Sequence, residues 1–261
     1  MRTPMARDRQ RYIMRKLEAD GSVTTLELSR ALHVSAESIR RDLISLEQQS
    51  LLKRVYGGAV SLSTNRGTEP PFRQRLGLQA EAKVRIGRIA AELAAGAHSI
   101  FIDVGTTASA VAGALPKDCD ATIATHSLLV AKPLVDAQHA EVLLAPGRLR
   151  RGEWSLTGAS TLKFLAHMYF DVAFLSCGGV DAKVGATDFN FDDVEVKKTV
   201  ARNSKHVYVL ADASKHLVVG TYEIASWFDV TGLITDAAPP EGIVNAIRTA
   251  GGRIFDGRHR R

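Results

Sequence analysis

Apolar residues in the first sixty positions recur at helical spacing, and caps and stops separate the runs. Over 8–19, Ile13, Met14 and Leu17 fall on one side, and Ala19-Asp20-Gly21 ends the run. Thr24 and Glu27 have the spacing of a capping box, in which the hydroxyl accepts from the N3 amide and the glutamate reaches back. Leu28, Ala31 and Leu32 follow as a short apolar stripe. Val34-Ser35 makes a turn, and Ser35 is a good N-cap for a third helix running to about Gln49, with Glu37 in its first turn. Ile39, Leu43 and Leu46 lie at i, i+4 and i+7 and form its buried face. That sends Arg41, Glu37 and Gln48 to the opposite side, with Arg40 and Ser38 on the flanks. β-prone residues around Gly57-Gly58 then read as a hairpin over 51–60 carrying Lys53, Arg54 and Tyr56.

Residues 61–71 are a Ser/Thr/Gly/Asn segment ending in Pro70-Pro71, a linker by composition. The expected units are therefore 1–60, a linker over 61–71, and 72–261. In the second unit a helix over 81–95 turns Val84, Ile86, Ile89, Ala90 and Leu93 inward. Strands are expected at 99–104, 121–124, 141–145, 172–176, 206–211 and 232–235, with helices at 108–115, 127–136, 160–166, 195–203 and 242–250. Near-continuous Val/Ile/Leu/Ala strands between helices indicate a mostly parallel sheet covered on both faces, an α/β fold. The tail Arg258-His259-Arg260-Arg261 reads as a frayed end.

Composition narrows the classes. The 261 residues are 45% hydrophobic and 24% charged, which is ordinary globular usage. No apolar run approaches the length of a membrane span, and Met1 to Arg7 lead into charge without a secretory core, so a cytoplasmic protein without membrane partners is expected. Two cysteines, Cys119 and Cys177, make no disulfide framework, and the eight histidines lack metal-ligand spacing; neither metal nor cofactor is expected. Residues 1–60 carry 11 Lys+Arg against 7 Asp+Glu, which leaves only +2 of the net +6 to the rest. A basic N-terminal unit points to a polyanion, although a solvated basic face has the same composition.

Three helices and a basic hairpin are the pattern of a winged helix-turn-helix. Ser35, Ser38, Arg40 and Arg41 would meet base edges and phosphates, while Lys53, Arg54 and Tyr56 on the wing would follow the backbone. The plainer alternative is a three-helix bundle with solvated arginines. In the second unit, the strand ending at Asp103 runs through Gly105-Thr106-Thr107 into a helix, a geometry that offers amides and hydroxyls to a phosphate. The same residues also suit an ordinary strand-to-helix turn capped by Thr107. Further loops after strands carry Thr125-His126-Ser127, Pro146-Gly147, Gly178-Gly179-Val180-Asp181 and Asp212-Ala213-Ser214-Lys215. All belong at the strands' carboxyl ends, where ligands bind. Cys177 reads as a small buried thiol in preference to a nucleophile. Glu195 and Lys198 read as a surface pair or, in an isomerase-like site, as base and acid. Asp192-Asp193 reads as a solvated helix start.

The stretch 34–43, with Arg40-Arg41-Asp42 at its centre, followed by Leu51 to Ala59 with its Gly57-Gly58, resembles the DNA-binding signature of DeoR-type transcriptional regulators. The later loops resemble that family's sensor domain, which is similar to sugar-phosphate isomerases and coenzyme A transferases. The resemblance implies a repressor of a carbohydrate catabolic operon that binds operator DNA as a homodimer or homotetramer and answers to a phosphorylated sugar. By the same resemblance Asp103, Gly105, Thr106 and Thr107 would grip the phosphate. Thr125, His126, Ser127, Gly147, Gly179, Asp181 and Lys215 would complete the effector site. His126 and Pro146 depart from the family's Asn and Gly, which makes a sugar-acid phosphate an expected variant. The competing expectations are a sugar-phosphate isomerase or CoA-transferase-like enzyme with a regulatory arm, and a nonspecific DNA-coating protein with a steep salt slope.

Overall fold

A computed structural model describes residues 5–20, 22–49, 51–55, 57–61 and 72–257. Tyr56, nearly all of the expected linker (62–71) and the tail from 258 lie outside the described residues. The first unit is α1 (Ala6–Asp20), β1 (Ser22–Thr24), α2 (Thr25–Leu32), α3 (Ala36–Gln48), β2 (Leu52–Val55) and β3 (Gly58–Ser61). The helices arise where the periodicity puts them. Thr24 and Glu27 form the capping box in both directions, and the Ser35 hydroxyl accepts from the Ser38 amide at 3.2 Å. Ile13, Leu17, Leu28, Ile39, Leu43, Leu46 and Leu52 share one buried core. β1, too short to show alternation, joins the hairpin as a third antiparallel strand beside β3.

The second unit continues with α4 (Phe72–Gly77), α5 (Ala80–Leu93), β4 (Ser99–Ile102), α6 (Thr106–Ala114), β5 (Thr122–Thr125), α7 (Leu128–Leu134) and β6 (Glu141–Leu144). Then come β7 (Arg148–Arg150), β8 (Ser155–Thr157), α8 (Ala159–Leu165), β9 (Phe170–Ser176), β10 (Gly179–Asp181), β11 (Gly185–Asp188) and α9 (Phe191–Arg202). β12 (Ser204–Leu210), β13 (Tyr222–Ala225), β14 (Gly232–Ile234), α10 (Glu241–Thr249) and β15 (Arg253–Phe255) complete it. Seven parallel strands run in the order β15-β14-β12-β9-β4-β5-β6. Alternate residues feed two cores: Phe101, Ala173, Leu175 and Val209 face one side, and Ile100, Ile102, Phe174 and Leu210 the other. Burial on both faces removes the polar alternation from these strands, which is why they read as continuous apolar runs.

Several details depart from the sequence reading. Val84 is 47% exposed instead of inward, because Ile86, Gly87 and Ala90 take the packed face of α5. The antiparallel sheet β10-β11-β13 and the hairpin β7-β8 have only three or four residues per strand and were not expected. α6 begins at Thr106 with Gly105 as N-cap, so Thr107 lies inside the first turn and does not cap it. β4 and β9 lie side by side while the chain leaves β4 toward β5, so strand order reverses between them. A crevice at the carboxyl ends of β4 and β9 is where a parallel sheet receives ligands.

Candidate functional site

The first candidate surface is α3 with the β2–β3 wing. Burial of Ile39, Leu43 and Leu46 forces the opposite side of α3 outward, so Arg40 and Arg41 are exposed, with side chains 62% and 79% accessible. Both lean toward Glu37, Arg40 at 3.2 Å and Arg41 at 3.8 Å, contacts of little worth at such exposure and easily exchanged for phosphate or base edges. Ser35 and Ser38 stand at the helix start, their hydroxyls 3.0 Å apart. Asp42 belongs to the same motif but points inward. Arg9 of α1 donates to both its oxygens at 2.6 and 3.0 Å, a bidentate pair that fixes α3 against α1. On the wing Lys53 is exposed and makes no salt bridge among the described residues, whereas Arg54 is held by Glu47 of α3 through its side chain (2.6 Å) and its amide (2.9 Å). Burial opposes ionisation of Glu47, but the Arg54 hydrogen bonds prevail and hold its carboxyl below the ordinary value. Arg54 therefore orients the wing.

The second candidate site is a cavity of about 530 Å³ at the switch between β4 and β9, with Glu47, Leu52 and Lys53 of the first unit along its outer side. Gly105, Thr106 and Thr107 line it at the N-terminus of α6. Gly105 has φ 101° and ψ 176°, a backbone that side-chain-bearing residues avoid, and this turns the loop under the helix end. Arg75, Lys83 and Lys215 supply positive charge, and Ser176 Oγ lines the same space, buried and without a hydrogen-bond partner. Lys83 Nζ donates to the carbonyls of Arg75 (2.6 Å) and Leu78 (2.5 Å), and burial lowers its pKa. Arg75 in turn pairs with Glu153.

Carboxylates line the cavity as well. Lys197 of α9, 1% exposed, reaches Asp188 Oδ2 at 2.8 Å and Asp103 Oδ2 at 3.3 Å. Burial works against its charge, yet Asp103, Asp188 and Asp193 outweigh that and hold its pKa well above the ordinary lysine value. Asp193 pairs with Arg150 through Oδ2, while its Oδ1 has no partner. Burial raises Asp193, against the pull of Lys197 and Arg150. Asp103 sits below, fully buried: burial pushes its carboxyl up to about 6, although Lys197 opposes this, and Oδ2 accepts from the Ser176 amide at 2.9 Å.

Of the residues expected to hold an effector, Gly105, Thr106, Thr107 and Lys215 line the cavity together; the others do not. Asp103 is a buried support. His126 is fully buried, stacked on Phe101 at 5.9 Å, with Nε2 3.9 Å from Asp103 and both ring nitrogens unpartnered. Burial and the Lys197 charge push its pKa down to about 3, so it is a neutral ring beneath the site and not part of the rim. Thr125 Oγ1 accepts from the Ser127 amide, and Ser127 caps α7. Side chains at Gly147 and Gly179 would run into Thr161 and Val218, so both glycines serve packing. Asp181 accepts from the Lys183 amide at 2.8 Å and shapes the β10–β11 turn. Asp193 is no solvated helix start, being 4% exposed. Cys177 is a buried thiol, pushed up to about 12 by burial, and Glu195 with Lys198 is a half-exposed pair at 3.8 Å. Sequence reasoning missed Arg75, Lys83, Glu153, Asp188, Asp193 and Lys197. Asp188 and Lys197 come from β11 and α9, whose spacing carries no sign of Asp103. Among the described residues there is no cluster of His, Cys, Asp and Glu able to hold a metal, and no helix is long and apolar enough to cross a membrane.

Two family models match this chain. Residues 9–65 match the DeoR-like helix-turn-helix domain, and residues 78–237 match the DeoR C terminal sensor domain. The glycerol-3-phosphate regulon repressor of Escherichia coli K12 is 34% identical over 239 residues, 92% of this chain and 94% of the relative. The HTH-type transcriptional regulator GolR of Listeria innocua is 31% identical, covering 94% and 96%. The transcriptional repressor GlcR of Bacillus subtilis is 31% identical, covering 88% of each. Ribose 5-phosphate isomerase A from Methanocaldococcus jannaschii aligns with 52% of this chain and 54% of its own at TM-score 0.38 and 15% identity, too distant to speak of activity. With both units matched in this order, along nearly the full length of the regulators compared, the chain belongs to the DeoR family of transcriptional regulators.

Proposed function

We propose that this protein is a cytoplasmic repressor whose first unit (1–60) binds operator DNA and whose second unit (72–261) releases or retains it in response to a phosphorylated sugar. The single observation that carries the reading is the cavity at the β4/β9 switch, where the Gly105–Thr107 helix start meets Lys83 and Lys215, two cations that bond to no carboxylate among the described residues. Amides at a helix start together with nearby ammonium groups are a receptor for a phosphate. Thr106, Thr107, Lys215 and Ser176 are its further contacts. On DNA, Ser35, Ser38, Arg40 and Arg41 read the major groove, and Lys53 and Tyr56 meet the backbone. A homodimer or homotetramer presents two such heads to paired half-sites. The relatives compared bear the names of transcriptional regulators, which favours a regulator over an enzyme.

The cavity also reaches the junction between the units. Lys83 holds two carbonyls at the end of α4, and α4 follows directly on segment 62–71. A phosphate that draws Lys83 and Arg75 toward it changes the footing of α4, which gives the effector a contact that differs between two states, as any allosteric ligand requires. Fluorescence anisotropy on DNA from the protein's own upstream region, with scrambled DNA as control and glycerol 3-phosphate and hexose phosphates as titrants, tests the reading. Specific binding that one phosphorylated compound alters supports it; binding equal on both DNAs overturns it.

A further inference from the structure

The wing of the first unit reaches the cavity of the second. β2 is an outer strand of the wing sheet, whose order is β1-β3-β2, and its Leu52 and Lys53 line the same space as Gly105, Thr106 and Thr107. At about 530 Å³ that space suits one small ligand, so a molecule seated at the start of α6 also has the wing within its surroundings.

The pairing of charges singles out one wing residue. Each carboxylate that lines the cavity is already engaged: Glu47 by Arg54, Glu153 by Arg75, Asp188 by Lys197 and Asp193 by Arg150, while Asp212 accepts from the Ser214 amide at 2.9 Å. Lys53, Lys83 and Lys215 are left, cations that bond to no carboxylate among the described residues. Lys83 and Lys215 belong to the second unit, and Lys53 alone comes from the first. It is exposed, and the carboxylate on which its charge acts, Glu47, is already held by the Arg54 hydrogen bonds. Its ammonium is therefore available to an anion from either side of the wing.

We propose that Lys53 belongs to two sites, so that the ammonium which meets an operator phosphate from the wing also contacts the effector in the cavity. This rests on the cavity being the phosphate site proposed above, and it states how that site is coupled to DNA. One ammonium cannot serve two phosphates in different places, so effector and operator compete for it. The competition is reciprocal: the affinity that the effector takes from the operator, the operator takes from the effector.

The test is isothermal titration of the full-length protein, first without DNA, with glycerol 3-phosphate, glucose 6-phosphate and inorganic phosphate as probes. Lys53→Gln weakens the probe that the parent binds by roughly fivefold or more, the worth of one charge-assisted contact at a half-open site. Lys53→Arg keeps most of the affinity. Arg41→Ala removes the same charge from the first unit but lies outside the cavity lining, and it leaves the affinity unchanged. The titration is then repeated with DNA from the protein's own upstream region at saturation. The DNA lowers the parent's affinity for the probe, and it lowers that of Lys53→Gln by a smaller factor, a change that a general loss of charge would not produce. If Lys53→Gln titrates as the parent does, or DNA acts on both proteins by the same factor, or DNA fails to lower the parent's affinity, the inference is overturned and the phosphate site stands. If the parent binds none of the three probes, the phosphate reading falls and the inference with it.

Discussion

α3 and the cavity at the β4/β9 switch use charge in opposite ways. On α3 the arginines are in water and loosely held, and the one buried carboxylate, Asp42, has both oxygens engaged by Arg9. In the cavity the charges are buried and interlocked, and Asp103 and Asp193 each keep an oxygen without a donor. A surface meant for a polyanion needs only mobile cations on a rigid support. A site meant for a small ligand needs groups fixed before the ligand arrives, and it carries the cost of unmet hydrogen bonds until then.

The largest effect that separates the two regions is on stability. Lys197→Met leaves Asp103 and Asp188 without their buried cation and lowers sensor stability by about 3–5 kcal/mol. Both tryptophans, Trp154 and Trp227, lie in that unit, so urea unfolding followed by their fluorescence reads it. An unchanged midpoint would mean that the cluster bears no net charge. Asp42→Ala releases α3 from α1 and costs about 3 kcal/mol in the first unit. Far-UV circular dichroism detects it as an early loss of helix that the tryptophans do not share.

Arg41→Ala comes next. Among the described residues its side chain pairs with Glu37 alone, at 3.8 Å, so stability changes by less than about 0.5 kcal/mol. Operator affinity falls by about 1–3 kcal/mol if Arg41 reads a base. If it meets a phosphate, the loss is uniform across sequences and the salt slope drops by about one.

Acid sensitivity at His126 separates the regions in another way. Its folded pKa, about 3, lies below the ordinary 6.5, so its contribution to stability is present above pH 6.5 and lost as the pH falls toward 3. Asp103 runs the other way: its pKa is raised to about 6, so its contribution is present below about 3.8 and lost as pH rises through 6. His126→Gln removes only the first, so the variant loses less stability than the parent between pH 6.5 and 4 in parallel urea titrations. Equal losses would place a charged imidazole in the folded protein.

The same contrast decides what could be read in advance. α3 and its wing are local: one apolar stripe over Ile39, Leu43 and Leu46 fixes which side Arg40 and Arg41 take, so the stretch 36–61 suffices. The parallel sheet was legible for the same reason, because burial on both faces leaves continuous apolar runs such as Phe170–Ser176. Short antiparallel strands such as Gly179–Asp181 show no period over three residues. Asp42 lay in plain view within the motif, but its partner is 33 positions away, and no spacing announces a pair of that range. The cavity is worse placed, since Asp103, Asp188 and Lys197 meet only after three separate crossovers. The loop glycines gave a false lead: Gly147 and Gly179 relieve close packing, a need that looks in sequence like a loop that cradles a ligand.

The most direct test of two separable sites is one anisotropy assay on three proteins: the parent, Arg41→Ala, and Thr106→Val combined with Lys215→Ala. At fixed salt, Arg41→Ala should bind operator weakly yet retain the parent's affinity for the phosphorylated effector in a parallel titration. The double variant should bind operator as the parent does and ignore the effector. If the double variant still responds at the parent's effector concentration, or Arg41→Ala binds operator unchanged, the assignment of the two sites is contradicted.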